Sequence, residues 1–383
     1  MSGGDRIASA LINKLARDGH AVTVFTGRSG LRVYASRSPR GVEYIETNSV
    51  LRKRFSHLGL FVYEVLAMIR GSISALRVKL PSAGRNFIYS ASDFWPDSFP
   101  AFLLKLRNPH AEWIAGFYMF APTPWCKDSP YKGKRRFVGA LYFLSQMPIY
   151  WIIRRYADTV FVTSDPDVSR FVTHKRSARK ILAIRGGIDT APAEMYLRSG
   201  CVTPVRARKY DAVFVGRLHP QKGVMDLVDI WKMVCTHIPA AKLAVIGTGY
   251  LEDELRSKVK SLNLEGNVEL LGFMDGSDKY EIFKQSRVVV HPATYDSGGM
   301  AACEAMAWGL PGVSFDLVSL KTYYPKGMIK TPCFDLSGFA QDIVNLLRDR
   351  ELYERTSRDA IAWARDWDWD KRLQEVFQRL NVM

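Results

Sequence analysis

The stretch that decides the fold lies between residues 211 and 292: DAVFVG (211–216), KGVMDLVDIWKMV (222–234), KLAVIG (242–247), LEDELRSKVKSL (251–262), NVELLG (267–272), DKYEIFKQ (278–285) and RVVVHP (287–292). Short, uniformly apolar runs alternate with longer stretches whose apolar residues recur every third or fourth place. The first kind is a strand buried on both faces, the second an amphipathic helix. Their alternation specifies βαβ units around a parallel sheet, so this half is a doubly wound α/β domain.

Toward the N-terminus the same alternation recurs less cleanly, as a helix over residues 5–18, the strand AVTVFTG (21–27), the strand DTVFVTS (158–164), a helix over DPDVSRFV (165–172) and the strand KILAIRGGID (180–189). A second domain of the same kind is expected. Residues 186–210, with Pro192, Gly200, Pro204 and few large apolar side chains, read as the connection, which places the boundary near residue 200. The C-terminal DAIAWARDWDWDKRLQEVFQRL is helical in pattern and carries Trp363, Trp367 and Trp369.

A chain of 383 residues, 47% apolar and 24% charged, has room for two cores, and this composition excludes disorder, collagen and coiled coil as the dominant state. Its five cysteines are odd in number and form no pattern of metal-ligand spacing, which fits a reducing cytoplasm. The first twenty residues mix charges into every turn and lack the apolar core of a signal peptide, which argues against export.

The net charge of +16 is unevenly spread: residues 1–200 hold 30 Lys+Arg against 14 Asp+Glu, and residues 201–383 hold 24 against 24. Basic clusters fall at Arg52-Lys53-Arg54, at Lys132, Lys134, Arg135 and Arg136, at Arg154-Arg155, and at Lys175-Arg176 with Arg179-Lys180. Any one of them could be a solvated face. The asymmetry between halves predicts an anionic surface or partner. Nucleic acid is disfavoured, because no zinc-finger, RNP or basic-zipper pattern accompanies the charge. Apolar and aromatic residues between the clusters favour a peripheral contact with anionic lipid at the inner face of a membrane. Residues 137–153, FVGALYFLSQMPIYWII, are uncharged, but Ser145, Gln146 and Pro148 near their middle predict a buried or interfacial helix rather than a span.

Three segments carry chemistry. In FVGRLHPQKG (214–223) a strand ends at Gly216 and is followed by Arg217 and then Lys222 at a helix start. Two cations beside a helix N-terminus at the carboxyl end of a parallel strand form an anion site suited to a diphosphate, although each alone could be a surface cation. In LAVIGTGYLEDEL (243–255), Gly247 and Gly249 again separate a strand from a helix; a tight turn explains them equally well. In HPATYDSGGMAACEAMAWGLPGVSF (291–315), Asp296 and Glu304 flank Ser297, Gly298 and Gly299 and the start of an Ala-rich helix at Met300. Helix-start amides attract an anion, glycines admit a ligand close to the backbone, and carboxylates accept hydrogen bonds from sugar hydroxyls.

Taken together, GRL-x3-KG, IGTG, VELLGF and the acid-x7-Glu motif ending in EAMAWGLP resemble the retaining GT-B glycosyltransferases of glycosyltransferase family 4 (glycosyl transferases group 1). The first half resembles them more loosely, through GGDRIASALINKLARDGHAVTVFTG, ADTVFVTS and GGID. The resemblance implies a GT-B fold: two Rossmann-like domains facing a cleft, residues 1–200 binding the acceptor and 201–365 the nucleotide sugar, with a helix at about 366–383 crossing back onto the first. It implies metal-independent transfer of a hexosyl group, with retention, from a UDP- or GDP-type sugar to a lipid-linked, polysaccharide or other glycan acceptor, with no cofactor.

By the same resemblance, Arg217 and Lys222 would neutralise the leaving diphosphate, Glu304 would bind ribose hydroxyls and Asp296 those of the donor sugar. Gly216, Gly247, Gly249, Ser297, Gly298, Gly299 and Met300 would line the donor, with Gly3 and Gly4 as a donor-proximal loop. This sequence departs from the family in three ways. Asp296 stands where Glu is usual, shortening the reach by about one C–C bond. Tyr118 stands where a histidine commonly sits near the sugar or acceptor. The chain opens directly on Gly3-Gly4, which predicts a first sheet without its usual first strand, through truncation, a misassigned start site or absence of that element. A non-catalytic sugar-nucleotide-binding subunit and another GT-B enzyme, such as a sugar-nucleotide epimerase, are the alternative readings.

Overall fold

The computed structural model describes residues 3–35, 41–47, 60–126, 129–133, 135–184, 186–296 and 298–380. The cluster Arg52-Lys53-Arg54, Lys134 and the candidate Ser297 lie outside them. The chain divides into two compact units: Met1–Pro124, Lys134–Gly186 and Leu373–Met383 form one, Trp125–Gly133 and Gly187–Arg372 the other.

The first unit contains, in order, α1 (Gly3–Arg17), β1 (Val22–Thr26), α2 (Arg28–Ala35), β2 (Val42–Glu46), α3 (Leu60–Arg77), β3 (Phe87–Ser90), α4 (Trp95–Arg107), β4 (Glu112–Gly116), α5 (Arg135–Tyr156), β5 (Thr159–Val162), α6 (Asp165–Phe171) and β6 (Ile181–Ala183). Strands β3 to β6 form a parallel sheet in sequence order, while β1 and β2 pair parallel with each other. Among the described residues no ladder joins β1 to β3. The two sheets meet instead through side chains, as Val22 and Val24 of β1 and Tyr89 of β3 pack on Ala8, Ile12 and Tyr34. Gly3 and Gly4, expected in a loop, form the first turn of α1, because Ile7, Ala8, Leu11 and Ile12 set a helical buried stripe that begins there. Arg176, expected in a surface cluster, is buried: its guanidinium donates to the carbonyls of Phe171, Ile153, Ala157 and Arg154.

The second unit holds α7 (Ala191–Arg198), β7 (Tyr210–Val215), α8 (Val224–His237), β8 (Leu243–Ile246), α9 (Glu252–Ser261), β9 (Val268–Gly272), α10 (Ser277–Lys284), β10 (Ser286–His291), α11 (Met300–Ala307), β11 (Gly312–Phe315), α12 (Val318–Tyr323), β12 (Met328–Thr331), α13 (Leu336–Arg348) and α14 (Arg350–Ala364). Its six strands are all parallel in the order β12-β11-β10-β7-β8-β9. Strand order therefore reverses between β7 and β10, and ligands of such sheets bind outside the carboxyl ends of the strands at that point. The inner strands β8 and β11 are buried along their whole length, and β8 accordingly appears in sequence as the unbroken apolar run LAVI.

The division between units falls at Gly186/Gly187 rather than near residue 200. Beyond it, Ile188 bridges to Asp368, and Ala193 and Tyr196 of α7 join the core that contains Trp308. The C-terminal tract does not run as one helix. A 3-10 turn at Arg365–Trp367 separates α14 from α15 (Trp369–Leu380), and the buried Trp367 packs against Tyr323 and Tyr324. From Leu373 onward the chain groups with the first unit, where Arg85 reaches the Leu380 carbonyl.

Candidate functional site

The loops after β7, β8 and β10 and the first turns of α11 carry the candidate residues of the second unit. After β7, Gly216 donates its N–H to the Ile246 carbonyl at 3.0 Å, and the chain then runs through exposed Arg217 to a 3-10 turn at Pro220–Lys222. His219 caps this turn, its Nδ1 accepting from the Gln221 N–H at 3.3 Å. Gly223 follows with φ +63° and leads into α8. A side chain on Gly223 would overlap the Pro292 carbonyl, so this glycine lets the two loops of the switch point cross. Gly247 and Gly249 serve the same end: a Cβ on either would overlap the backbone of Gly216 or Leu218.

Lys222 and Asp296, 74 residues apart, meet at this crossing, with Nζ 2.6 Å from Oδ2. The buried His291, last residue of β10, places Nε2 2.9 Å from the same oxygen. Burial pushes the Asp296 carboxyl up, but Lys222 and His291 more than reverse this and hold it far below the usual carboxylate range. Burial also holds the His291 imidazole below its ordinary value, against the pull of Asp296. A neutral ring with the proton on Nε2 satisfies the short contact. Asp296 is therefore an anion clamped by one cation and one neutral donor.

The backbone that follows is tightly seated. Asp296 Oδ1 accepts from the Gly298 N–H at 3.3 Å, and Ser319 Oγ donates to the Asp296 carbonyl. Gly298 and Gly299 lie against Tyr323 and Tyr324, whose rings a Cβ at either glycine would strike, and the Tyr324 hydroxyl donates to the Gly299 carbonyl. Gly299 is the N-cap of α11, so the amides at Met300 and just beyond are the open N-terminal groups of that helix. Two largely buried carboxylates result: Asp296 before the helix and Glu304 one turn inside it. Glu304 Oε2 lies 2.9 Å from Nζ of the buried Lys279 on α10, which also contacts Asp275 Oδ1 at 3.0 Å.

Lys330, on β12 beside β11, places Nζ 2.9 Å from Ser314 Oγ and 4.8 Å from the centre of the Tyr324 ring. Burial pushes its ammonium down to about 7, while Asp316 pulls it up. A segment distant in sequence also enters: Tyr131, from the Trp125–Gly133 excursion, packs edge-on against His219, which packs likewise against Tyr250.

Gly3, Gly4 and Tyr118 belong to the first unit and form a separate group there. A Cβ on Gly4 would lie 3.2 Å from the Tyr118 ring. The Tyr118 hydroxyl sits 2.5 Å from that of Tyr89, and burial raises the Tyr118 phenol above its ordinary value.

The structure thus brings Gly216, Lys222, Gly247, Gly249, Asp296, Gly298, Gly299, Met300 and Glu304 to one end of the second sheet. Sequence reasoning gave no role to Lys279, His291, Tyr324, Tyr131 or Gly223. His291 had a local signal, standing at the end of an apolar strand just before the loop that carries Asp296. Lys279 and Tyr131 had none.

The chain matches the model of the family described as glycosyl transferases group 1 over residues 202–363, less than half of its length. It is 25% identical over 186 residues to a poly(glycerol-phosphate) alpha-glucosyltransferase of Bacillus subtilis, covering 48% of this chain and 27% of the relative. It is 26% identical over 193 residues to glycogen synthase of Mycobacterium tuberculosis, covering 50% and 45%. The chain therefore spans less than half the length of either. Among solved structures, Anabaena HepE in complex with UDP and glucose aligns over 100% of this chain and 98% of its own, at 17% identity and TM-score 0.71. The architecture is accordingly GT-B, with two Rossmann-like α/β domains.

Proposed function

We propose that the protein is a retaining glycosyltransferase that moves a hexosyl group from a UDP- or GDP-type sugar to a lipid-linked or polysaccharide acceptor in polysaccharide or glycolipid biosynthesis. The observation that carries the reading is the convergence of Lys222, Asp296 and the N-terminus of α11 at the switch point of the second sheet. Cations, helix amides and carboxylates at one strand end suit a ligand that is anionic in one part and rich in hydroxyls in another. The complex of HepE with UDP and glucose supports the same class of donor.

In this reading the donor diphosphate takes over Lys222 from Asp296 and draws in the exposed Arg217. Charge that builds on the diphosphate as the glycosidic bond breaks is met by these cations and the amides at Gly298, Gly299 and Met300, without a metal ion; such placed charge stabilises the transition state selectively. Glu304 accepts from ribose hydroxyls and Asp296 from hydroxyls of the donor sugar, while Ser297, between them in sequence, is assigned to the donor by resemblance alone. The first unit binds the acceptor, with Tyr118 as a neutral donor beside Gly4. The five free cysteines fit work in a reducing cytoplasm.

A thermal-shift screen against UDP, GDP, ADP and their sugar conjugates tests the donor class, since a ligand of the native state raises its apparent stability. A shift with one base is expected, lost in Lys222→Ala and Glu304→Ala, which also lose most transfer to a glycan acceptor. Turnover like that of the wild type in either variant would overturn the site assignment.

A further inference from the structure

We infer that the outward face of α5 docks the first unit onto an anionic lipid surface, with the helix lying in the plane of the interface. A surface helix ordinarily turns its large apolar side chains inward and its polar ones to water. In α5 the inner face buries Ile149 and Ile153, yet the outer face is apolar as well. Phe137, Leu141, Leu144 and Trp151 follow one another at helical spacing along the outer face, and Phe137 is 70%, Leu144 58% and Trp151 54% exposed. No charged residue interrupts the helix between Arg136 and Arg154. Contiguous exposed apolar surface of this kind marks a docking site.

The inner face explains why the helix cannot rotate to hide these residues. Gln146 is buried: its amide donates to Asp93 Oδ2 at 2.6 Å and to the Met119 carbonyl at 2.8 Å, and its oxygen accepts the Ala121 N–H at 2.8 Å. Trp95 of α4 fixes the same turn by donating to the Ser145 carbonyl at 2.7 Å. Turning the apolar row inward would break this polar network and leave Asp93 without its Gln146 donor in a buried site.

The charges identify the occupant. Arg135 and Arg136 precede the row and Arg154 and Arg155 follow it, the last two lying over the rings of Trp151 and Tyr156. The helix contains no acidic residue. An apolar face with cations at both ends and aromatic rings beside them matches acyl chains below a layer of anionic headgroups. A second copy of this chain would set four arginines against four. From Phe137 to Trp151 the helix advances about 21 Å, short of a hydrocarbon core of about 30 Å. Among the described residues no helix is long and apolar enough to cross a membrane. Lying on the surface, rather than crossing it, fits these dimensions.

The inference is independent of the transfer chemistry and is tested apart from it. The whole 383-residue chain is co-sedimented with phosphatidylcholine vesicles, with and without about 30 mol % phosphatidylglycerol. Binding at low salt, at least about tenfold stronger with the anionic lipid, is expected. The combined variant Phe137→Gln, Leu141→Gln and Leu144→Gln keeps every arginine and uses a good helix former at exposed places. It should keep the wild-type melting temperature and nucleotide response while losing at least about tenfold in vesicle binding. Three results would each overturn the proposal: no vesicle binding by the wild type at low salt, undiminished binding by the folded variant, or a wild-type dimer in solution that the variant abolishes.

Discussion

Replacing Lys279 by methionine probes how the second unit holds Glu304. The Lys279 side chain is 3% exposed and its ammonium lies between Glu304, 11% exposed, and Asp275, 30% exposed. Lys279→Met keeps the length of the side chain but leaves two carboxylates without their shared cation. Removing one partner of a buried ion pair costs about 3–5 kcal/mol. Asp275 is open enough to turn to water, so the loss falls chiefly on Glu304 and the lower end, about 3 kcal/mol, is expected. Glu304→Gln retains an acceptor for Lys279, which keeps Asp275, and should cost about 1–2 kcal/mol. In the double variant the attraction between Lys279 and Glu304 is lost once rather than twice, so its cost should fall short of the sum of the singles by about 1–2 kcal/mol. Urea denaturation of the four proteins measures this coupling. Additivity within about 0.5 kcal/mol would refute the claim that Lys279 holds Glu304 through charge. The functional counterpart is a drop of about tenfold in nucleotide affinity for Lys279→Met, with kcat at saturating donor changing far less than KM.

Lys330→Met should raise the melting temperature at pH 7, by about 3 °C or more. The folded chain holds this amine near 7, so between pH 7 and the ordinary lysine range the unfolded chain binds a proton that the folded one does not. The penalty is complete below about pH 7 and fades as pH rises toward 10.5, so the advantage of the variant must shrink on that side; a difference independent of pH would refute the placement. Gly223→Ala should destabilise the second unit by about 2–4 kcal/mol and abolish the nucleotide-induced shift, because φ +63° and the Pro292 carbonyl both oppose a Cβ. Gly266→Ala, with open space around it and no left-handed φ, should stay within about 0.5 kcal/mol in the same denaturation series.

The alternation of apolar runs and amphipathic stretches from residue 211 determines the doubly wound second unit, because strand and helix periodicity are local properties that survive in a single sequence. The same locality made the loops after β7 and β10 legible: Gly216-Arg217 follows the first strand, and Asp296 with Gly298-Gly299 follows the second, whatever the strand order. Which loops meet is a tertiary matter. Only the order β12-β11-β10-β7-β8-β9 makes β7 and β10 neighbours and so sets Lys222 against Asp296 across 74 residues.

The clamp on Glu304 was illegible for a related reason. Lys279 sits in an ordinary amphipathic helix, and nothing within a turn of it shows that the helix packs its ammonium against α11. Tyr131 reaches the second unit from a loop more than 80 residues upstream of His219, so no pattern near either residue announces the contact. In α5 almost every position is apolar, so composition marked an unusual helix without saying which side faces the core. The buried Gln146 decides that, because its three hydrogen bonds can form in one orientation only, and that orientation leaves Phe137, Leu144 and Trp151 outside. The sequence alone determined what each segment is; the packing of segments far apart in the chain decided which charges are paired, which glycines are required and which apolar face stays open.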